Sequence, residues 1–331
     1  MPREAIVADI GGTNARFAVA DLATLELSRI SQSPCAVHPT FAAAFRAYLA
    51  ELSAPVDQAA IAVAGPVTGE HIHLTNSPWS FNKHELCRAA GLKDVLVLND
   101  FEALALSLPH LARAELHQIG GAAPEDHLTK LVLGPGTGLG VAGLVWSGER
   151  WIAVPGEGGH ASLGAHDERE LALLERLRKG RPSLSAERAL SGPGLAQLYQ
   201  ATAASYGEGP AELEPNDVLV RALSGEDRIA VEALDAFMIW FGRFAGDAAL
   251  LFGARGGVYL GGGIAPKIAS VLSGGAFRAA FEQKGRMVSY LAPIPVYVIL
   301  AGFATLKGAA VALKTTLAPD AAGPAKSLDL A

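Results

Sequence analysis

Short, mostly apolar runs alternate with longer segments of helical periodicity along this chain. Strands buried on both faces have continuous apolar runs, so these runs predict strands at 5–8, 59–64, 95–98, 130–133 and 258–260. Apolar residues at helical spacing predict helices over 40–52, 81–91, 101–108 and 237–252. This alternation of strands and helices predicts an α/β protein.

Two polar residues, Asn99 and Asp100, end the strand 95–98 and precede the helix 101–108. In open α/β sheets, ligands bind at the carboxyl ends of the strands. A carboxylate at that edge could accept a proton, and an amide could bind hydroxyl groups. Asn and Asp are also favoured helix N-caps, so a purely structural role for one of the pair is the alternative.

Two glycine turns join strand to strand. Asp9 is followed by Gly11, Gly12, Thr13 and Asn14 before a second predicted strand, and the sequence GPGTGLG occupies 134–140 in the same setting. Glycine lets backbone N–H groups approach a phosphate closely, although a simple hairpin turn has the same pattern. Their recurrence predicts a repeated phosphate-facing hairpin. No Walker A sequence is present.

The composition limits the class of protein. The chain has 331 residues, of which 50% are hydrophobic and 18% charged, which is typical of about two globular domains. A net charge of -6 argues against nucleic-acid or membrane-surface partners. The apolar stretch 237–252 carries Arg243 and Asp247 and is short for a membrane span. Two cysteines and an N-terminus without a signal-peptide pattern predict a cytoplasmic location.

Six segments, in this order along the chain, resemble bacterial ATP-dependent glucokinases. They are ADIGGTNARFAVAD (8–21), LNDFEALALSLP (98–109), LGPGTGLGVAGL (133–144), PGEGGH (155–160), ERALSGPGL (187–195) and GGVYLGGGIAPK (256–267). The resemblance implies two ribonuclease H-like α/β domains of the actin and hexokinase type, with a cleft between them. It predicts a small domain over 1–110, completed by about 299–315, and a large domain over 111–298. The end of the chain is rich in Ala, Pro, Lys and Asp, which predicts a disordered tail over 316–331.

The resemblance also implies an activity: transfer of the γ-phosphate of ATP to the 6-hydroxyl of glucose, the first step of glycolysis. It makes Asp100 the general base and also a sugar ligand, and it assigns further sugar contacts to Asn99, Glu157, His160 and Glu187. It assigns the nucleotide to Gly11, Gly12, Thr13, Asn14, Gly136, Thr137, Gly138, Gly261, Gly262 and Gly263. Asp9 would hold Mg²⁺, through water, because Mg²⁺ dehydrates reluctantly.

Several alternatives stay open at this point. Without the resemblance, Glu157 and His160 would be predicted as solvated surface, and three glycines at 261–263 as a flexible loop. No cysteine follows His160, which favours the zinc-free branch of the family and predicts no zinc. The chain could instead phosphorylate another hexose or an N-acetylhexosamine, or sense sugar without catalysis. The sequence does not define an oligomeric state, and a homodimer is compatible with it.

Overall fold

The computed structural model describes residues 4–318 except 53, 54, 76 and 210. The strands are β1 (Glu4–Ile10), β2 (Asn14–Asp21), β3 (Leu27–Pro34), β4 (Gln58–Val63), β5 (His71–His73), β6 (Ser80–Asn82), β7 (Asp94–Asn99), β8 (Leu116–Gly120), β9 (Lys130–Pro135), β10 (Leu139–Trp146), β11 (Trp151–Gly156), β12 (Val258–Leu260) and β13 (Val296–Ile299). The helices are α1 (Phe41–Ala50), α2 (Lys83–Ala90), α3 (Asp100–Ser107), α4 (Glu168–Arg178), α5 (Gly192–Ser205), α6 (Pro215–Ser224), α7 (Arg228–Phe252), α8 (Ala269–Leu272), α9 (Ala276–Glu282), α10 (Val288–Leu291) and α11 (Ala304–Leu317).

The chain divides into two compact units, Met1–Ala103 with Thr305–Ala331, and Leu104–Ala304. The first unit contains a five-stranded sheet in the order β3-β2-β1-β4-β7, in which β1, β4 and β7 run parallel. Its core packs Phe17 against Phe41 and Phe45 of α1. Thr40 caps α1 by accepting a hydrogen bond from Ala43 N–H, as its position before the apolar periodicity predicted.

The second unit contains a six-stranded sheet in the order β11-β10-β9-β12-β13-β8, with β9, β12 and β13 parallel. Its core forms around α7, whose Phe237, Trp240 and Phe241 are fully buried. Asp227 caps the start of α7, and Gly253 ends it in the left-handed conformation that glycine adopts without strain. The predicted helix 237–252 is therefore the second half of a longer one.

The predicted apolar strands and all four predicted helices are present, and the mixed α/β fold class is confirmed. Strands β3, β8 and β11 were not predicted, and they carry mostly half-buried or exposed residues. Of the predicted tail, 316 and 317 belong to α11, and 319–331 lie outside the described residues. Within the described chain, no helix is long and apolar enough to cross a membrane.

Candidate active site

Asn99 and Asp100 lie where β7 ends and α3 begins. Asn99 Oδ1 accepts hydrogen bonds from Phe101 N–H (2.9 Å) and Glu102 N–H (3.2 Å), so Asn99 caps α3. Glu102 Oε2 accepts from Asn99 N–H at 3.4 Å, which completes a reciprocal capping box. Asp100 Oδ1 accepts from Phe101 N–H at 2.9 Å, which orients its carboxylate. The structural role is thus real for Asn99.

The Asn99 side chain also reaches the neighbouring strand connection. Its Nδ2 donates to Gly65 O at 3.1 Å, just after β4. One of its two amide N–H groups is used in this way, which leaves a second donor for another partner. The Asn99 amide is therefore fixed through both its oxygen and its nitrogen, and one of its N–H groups can still donate to a ligand.

Asp9 lies near the end of β1, before the first glycine turn. It is largely buried, and its Oδ2 accepts a hydrogen bond from Arg16 Nη1 at 2.8 Å. Burial raises the pKa of Asp9, and the Arg16 guanidinium opposes that rise. The register of β1 and β2 places Arg16 beside Asp9, because the two residues pair directly across the strands. The sequence did not identify this partner.

The turn at 11–14 is closed by its own backbone and by a cysteine. Gly11 N–H donates to Asn14 O at 3.0 Å, and Cys35 N–H donates to Thr13 O at 2.8 Å. Cys35 Sγ also donates to Gly11 O at 3.5 Å, and burial raises the pKa of this thiol. Cys35 therefore supports the turn, a role that no sequence signal indicated.

The groups of the first unit share one edge of its sheet. Ile10 of β1 pairs with Val63 of β4, and Val63 pairs with Asn99 of β7. Parallel strands end at the same edge, so the turn after β1 and the pair after β7 lie side by side across β4. The structure brings Asp9, the turn 11–14, Asn99 and Asp100 to this edge.

In the second unit, the loop Gly136–Gly138 lies between β9 and β10. Gly136 N–H donates to Gly138 O, and Gly192 N–H, at the start of α5, donates to Gly136 O, each at 2.8 Å. Glu187 Oε2 accepts from Leu139 N–H at 3.0 Å, immediately after the loop. Glu187 lies in a 3₁₀ turn, Ala186–Arg188, and is half-buried. The loop is thus held by a helix start and a carboxylate.

The glycines 261–263 pack backbone to backbone against the end of β9. Gly261 N–H donates to Leu133 O at 2.9 Å, and Ile264 N–H donates to Pro135 O at 3.1 Å. A Cβ on Gly134 would collide with the Gly261 backbone, and Gly262 has a φ of 76°, a conformation that favours glycine. These glycines form an ordered turn beside the loop Gly136–Gly138, rather than a flexible loop.

Glu157 and His160 follow β11 and are exposed. Their side chains approach each other, with 3.8 Å between His160 Nε2 and Glu157 Oε2. A Cβ on Gly159 would collide with Leu139 O, so this turn packs closely on β10. Ala186 N–H donates to Ala161 O at 2.8 Å, which joins this turn to the one that carries Glu187. The second unit therefore brings all three predicted sugar ligands near its glycine loop.

Comparison with known proteins agrees with these features. A family model described as glucokinase matches residues 6–316. Glucokinase from Tolumonas auensis is 43% identical over 299 residues, covering 90% of this chain and 93% of that protein. Glucokinase from Klebsiella pneumoniae is 42% identical over 317 residues, covering 96% and 99%.

Solved structures extend the comparison to the fold. A glucokinase from an Antarctic psychrotroph has 37% identity and a TM-score of 0.83, covering 95% of this chain and 100% of that one. A glucokinase of the ROK family from Streptomyces griseus, solved in complex with glucose and AMPPNP, has 22% identity and a TM-score of 0.64. The match covers 93% of this chain and 98% of that one, and at this identity it shows a shared fold only. The protein is a sugar kinase with the actin-like ATPase fold. It belongs to the glucokinase family.

Proposed function

We propose that this protein transfers the γ-phosphate of ATP to the 6-hydroxyl of glucose, giving glucose 6-phosphate and ADP. The observation that carries the proposal is the position of Asp100. It follows a parallel strand directly, at the sheet edge that also holds the turn 11–14, and its carboxylate is oriented by Phe101 N–H. Phosphoryl transfer needs a group at such an edge that accepts the proton of the attacking hydroxyl.

Sugar recognition is proposed for the remaining polar side chains. The second amide N–H of Asn99 would donate to a glucose hydroxyl beside Asp100, while its first stays on Gly65 O. Glu157 would accept from hydroxyls, and His160 can donate or accept. Glu187 uses Oε2 to hold Leu139 N–H, and its Oε1 would be the acceptor for a sugar hydroxyl. A hydroxyl-rich ligand suits this mixture of acceptors and donors.

The nucleotide is proposed to bind to backbone. In the second unit, the loop Gly136–Gly138 lies at the start of α5, and the N-terminus of a helix attracts phosphate. The ordered turn at 261–263 offers a flat backbone surface for adenosine, and the turn 11–14 of the first unit would contact the phosphates.

Asp9 fits a hydrated magnesium ion. Its carboxylate lies at the end of β1, directly before the turn 11–14, and Arg16 binds Oδ2 only. Mg²⁺ is commonly held by one or two carboxylates together with water and phosphate oxygens. Bound there, the ion would neutralise charge on the phosphates.

The absence of a zinc site and the cytoplasmic location stay predictions, as does the homodimer.

A sugar panel tests the proposal. We expect kcat/KM, measured in a coupled assay with saturating MgATP, to be highest for glucose and much lower for galactose. Inverting the 4-hydroxyl would leave groups near Asn99 unpaired, at about 1–3 kcal/mol each. A kcat/KM for N-acetylglucosamine equal to or above that for glucose would contradict the proposal and would indicate an N-acetylhexosamine as the substrate.

A further inference from the structure

A cavity of about 470 Å³ lies within the second unit, on the face of its sheet that does not pack against α7. The residues of this cavity that matter here are Arg113, His127, Lys130, Trp151, Tyr259 and Tyr297. No role in the proposed reaction uses any of them. Ligand sites in proteins typically have volumes of about 300–1,000 Å³, with mostly apolar and aromatic walls and few polar groups.

The strand register explains why these side chains share a face. Successive residues of a strand point to opposite faces, so Leu131 of β9 enters the core around α7 while Lys130 faces the cavity. Tyr259 of β12 pairs with Val132 of β9 and with Tyr297 of β13. The two tyrosine rings stack, with 5.2 Å between centroids and 25° between planes. The cavity floor is thus aromatic and built on rigid strands.

Lys130 places a positive charge at this aromatic surface. The residue is only 8% exposed, and its Nζ donates to Gly256 O at 3.3 Å. Nζ also lies 5.4 Å from the ring centroid of Trp151 and 5.7 Å from that of Tyr259. Within the described chain, no carboxylate lies within ion-pair distance of Lys130. An ammonium has three N–H donors, so this buried charge has unused capacity for an anion.

The other charges that line the cavity are more exposed. Arg113 and Asp126 are exposed, and His127 stacks on Trp146 with 4.3 Å between ring centroids. Burial lowers the pKa of Lys130, and Asp126 raises it in part without pairing with it. Two cationic groups against one carboxylate give the cavity a net positive lining. An acidic ligand therefore fits better than a basic one.

We propose that this cavity binds a small organic anion with a planar, aromatic body. The ring of the ligand would stack on the half-buried Trp151, and its acidic group would accept hydrogen bonds from Lys130 Nζ. This site is separate from the nucleotide loop. Lys130 begins β9 and Gly136 follows its end, a distance of about 20 Å along a strand at about 3.3 Å per residue.

The first experiment compares two probes of the same shape. Calorimetric titration of the full chain with 1-naphthoate and with 1-naphthalenemethanol isolates the effect of the negative charge. We expect the acid to bind at least about tenfold more tightly, as a charge-assisted hydrogen bond in a buried setting provides. Saturating glucose or ADP should leave the affinity for 1-naphthoate unchanged. Equal affinities for the two probes, or competition by glucose or ADP, would overturn the proposal.

Variants then assign the effect to the cavity. Lys130→Met keeps the apolar stem and should reduce the affinity for 1-naphthoate to that for the alcohol. The matched control is Lys93→Met, at an exposed lysine of the first unit that pairs with Asp57, and it should change neither affinity. Trp151→Val, on the edge strand β11, should weaken both probes equally. This second variant keeps the proposal testable even if Lys130→Met does not fold, and unchanged binding in Trp151→Val would contradict it.

Discussion

At the scale of the residue, Asn99 combines a structural and a proposed binding role. It caps α3, and it holds an amide at the sheet edge beside Asp100. The sequence presented these roles as alternatives, since cap residues and sugar ligands are the same residue types. The contacts show that capping occupies Oδ1, whereas the proposed sugar contact uses Nδ2. The two roles are therefore compatible.

Asn99→Ala should separate this residue from an ordinary cap. Losing the cap should lower the free energy of unfolding by about 0.5–2 kcal/mol, and the KM for glucose should rise. Thr40→Ala is the control, because Thr40 caps α1 in the same unit. It should cost similar stability without changing the KM. Urea unfolding and steady-state kinetics measure both effects, and equal KM values in the two variants would refute the sugar contact.

Gly138→Ala tests the glycine loop of the second unit. A Cβ on Gly138 would collide with the Glu187 carboxylate, which would have to move and release Leu139 N–H. We expect the KM for ATP to rise, with a smaller rise for glucose. Gly164→Ala is the matched control, since a Cβ there meets nothing within 4 Å. An unchanged ATP affinity in Gly138→Ala would show that the loop does not bind phosphate.

At the scale of the element, a buried ion pair joins α4 to α7. Arg243 donates to both Glu170 oxygens, at 2.7 Å and 2.9 Å, and both residues are buried. Glu170 Oε2 also accepts from His166 N–H, before α4. Sequence periodicity showed Arg243 only as a charge within an apolar helix, because a partner 73 positions away in the chain leaves no local signal.

Removing one partner of this pair should be costly. Glu170→Gln leaves the Arg243 charge buried without its counter-charge, and we expect a loss of about 3–5 kcal/mol in the free energy of unfolding. The double variant Glu170→Gln, Arg243→Met should recover much of that loss, because no unpaired charge remains. Urea unfolding of both variants measures this. A double variant no more stable than the single one would contradict the account.

The same pair predicts a dependence on pH. Burial alone would raise the pKa of Glu170, but the hydrogen bonds and charge of Arg243 lower it below its usual value of 4.5. A carboxyl group whose pKa is lower in the folded state contributes stability above its unfolded pKa, and loses it as the pH falls through the folded pKa. Wild type should therefore lose its advantage over Glu170→Gln below about pH 4, as unfolding at graded pH would show.

The elements differ in how far the sequence predicted them. Strands β1, β4, β7 and β9 were predicted because each has a continuous apolar run, and in β1, β4 and β9 this run is buried on both faces. Strand β3, LSRISQSP, has mostly exposed residues, and only its register with β2 defines it. Pairing partners are set by tertiary structure and have no local pattern. For the same reason, the sequence did not predict that Arg16 contacts Asp9 or that Cys35 contacts the turn 11–14.

At the scale of the whole molecule, the proposed reaction uses groups from both units. If both units bind glucose, then glucose at 100 times its Kd should raise the free energy of unfolding by about 2.7 kcal/mol. Asn99→Ala in the first unit and His160→Ala in the second should each reduce that increment at the same glucose concentration. Thr40→Ala should retain it. If glucose stabilises His160→Ala as much as it stabilises the wild type, the second unit does not bind the sugar through His160.

The central claim is that Asp100 accepts the proton of the attacking hydroxyl. Asp100→Asn keeps the acceptor for Phe101 N–H but not the base, so kcat should fall by about 10²–10⁴ while glucose affinity changes little. Glu102→Gln is the matched control, because its carboxylate lies on the same helix and accepts only from backbone in the contacts described, at Asn99 N–H. Its kcat should stay near that of wild type. A wild-type kcat in Asp100→Asn, measured with saturating glucose and MgATP, would contradict the account.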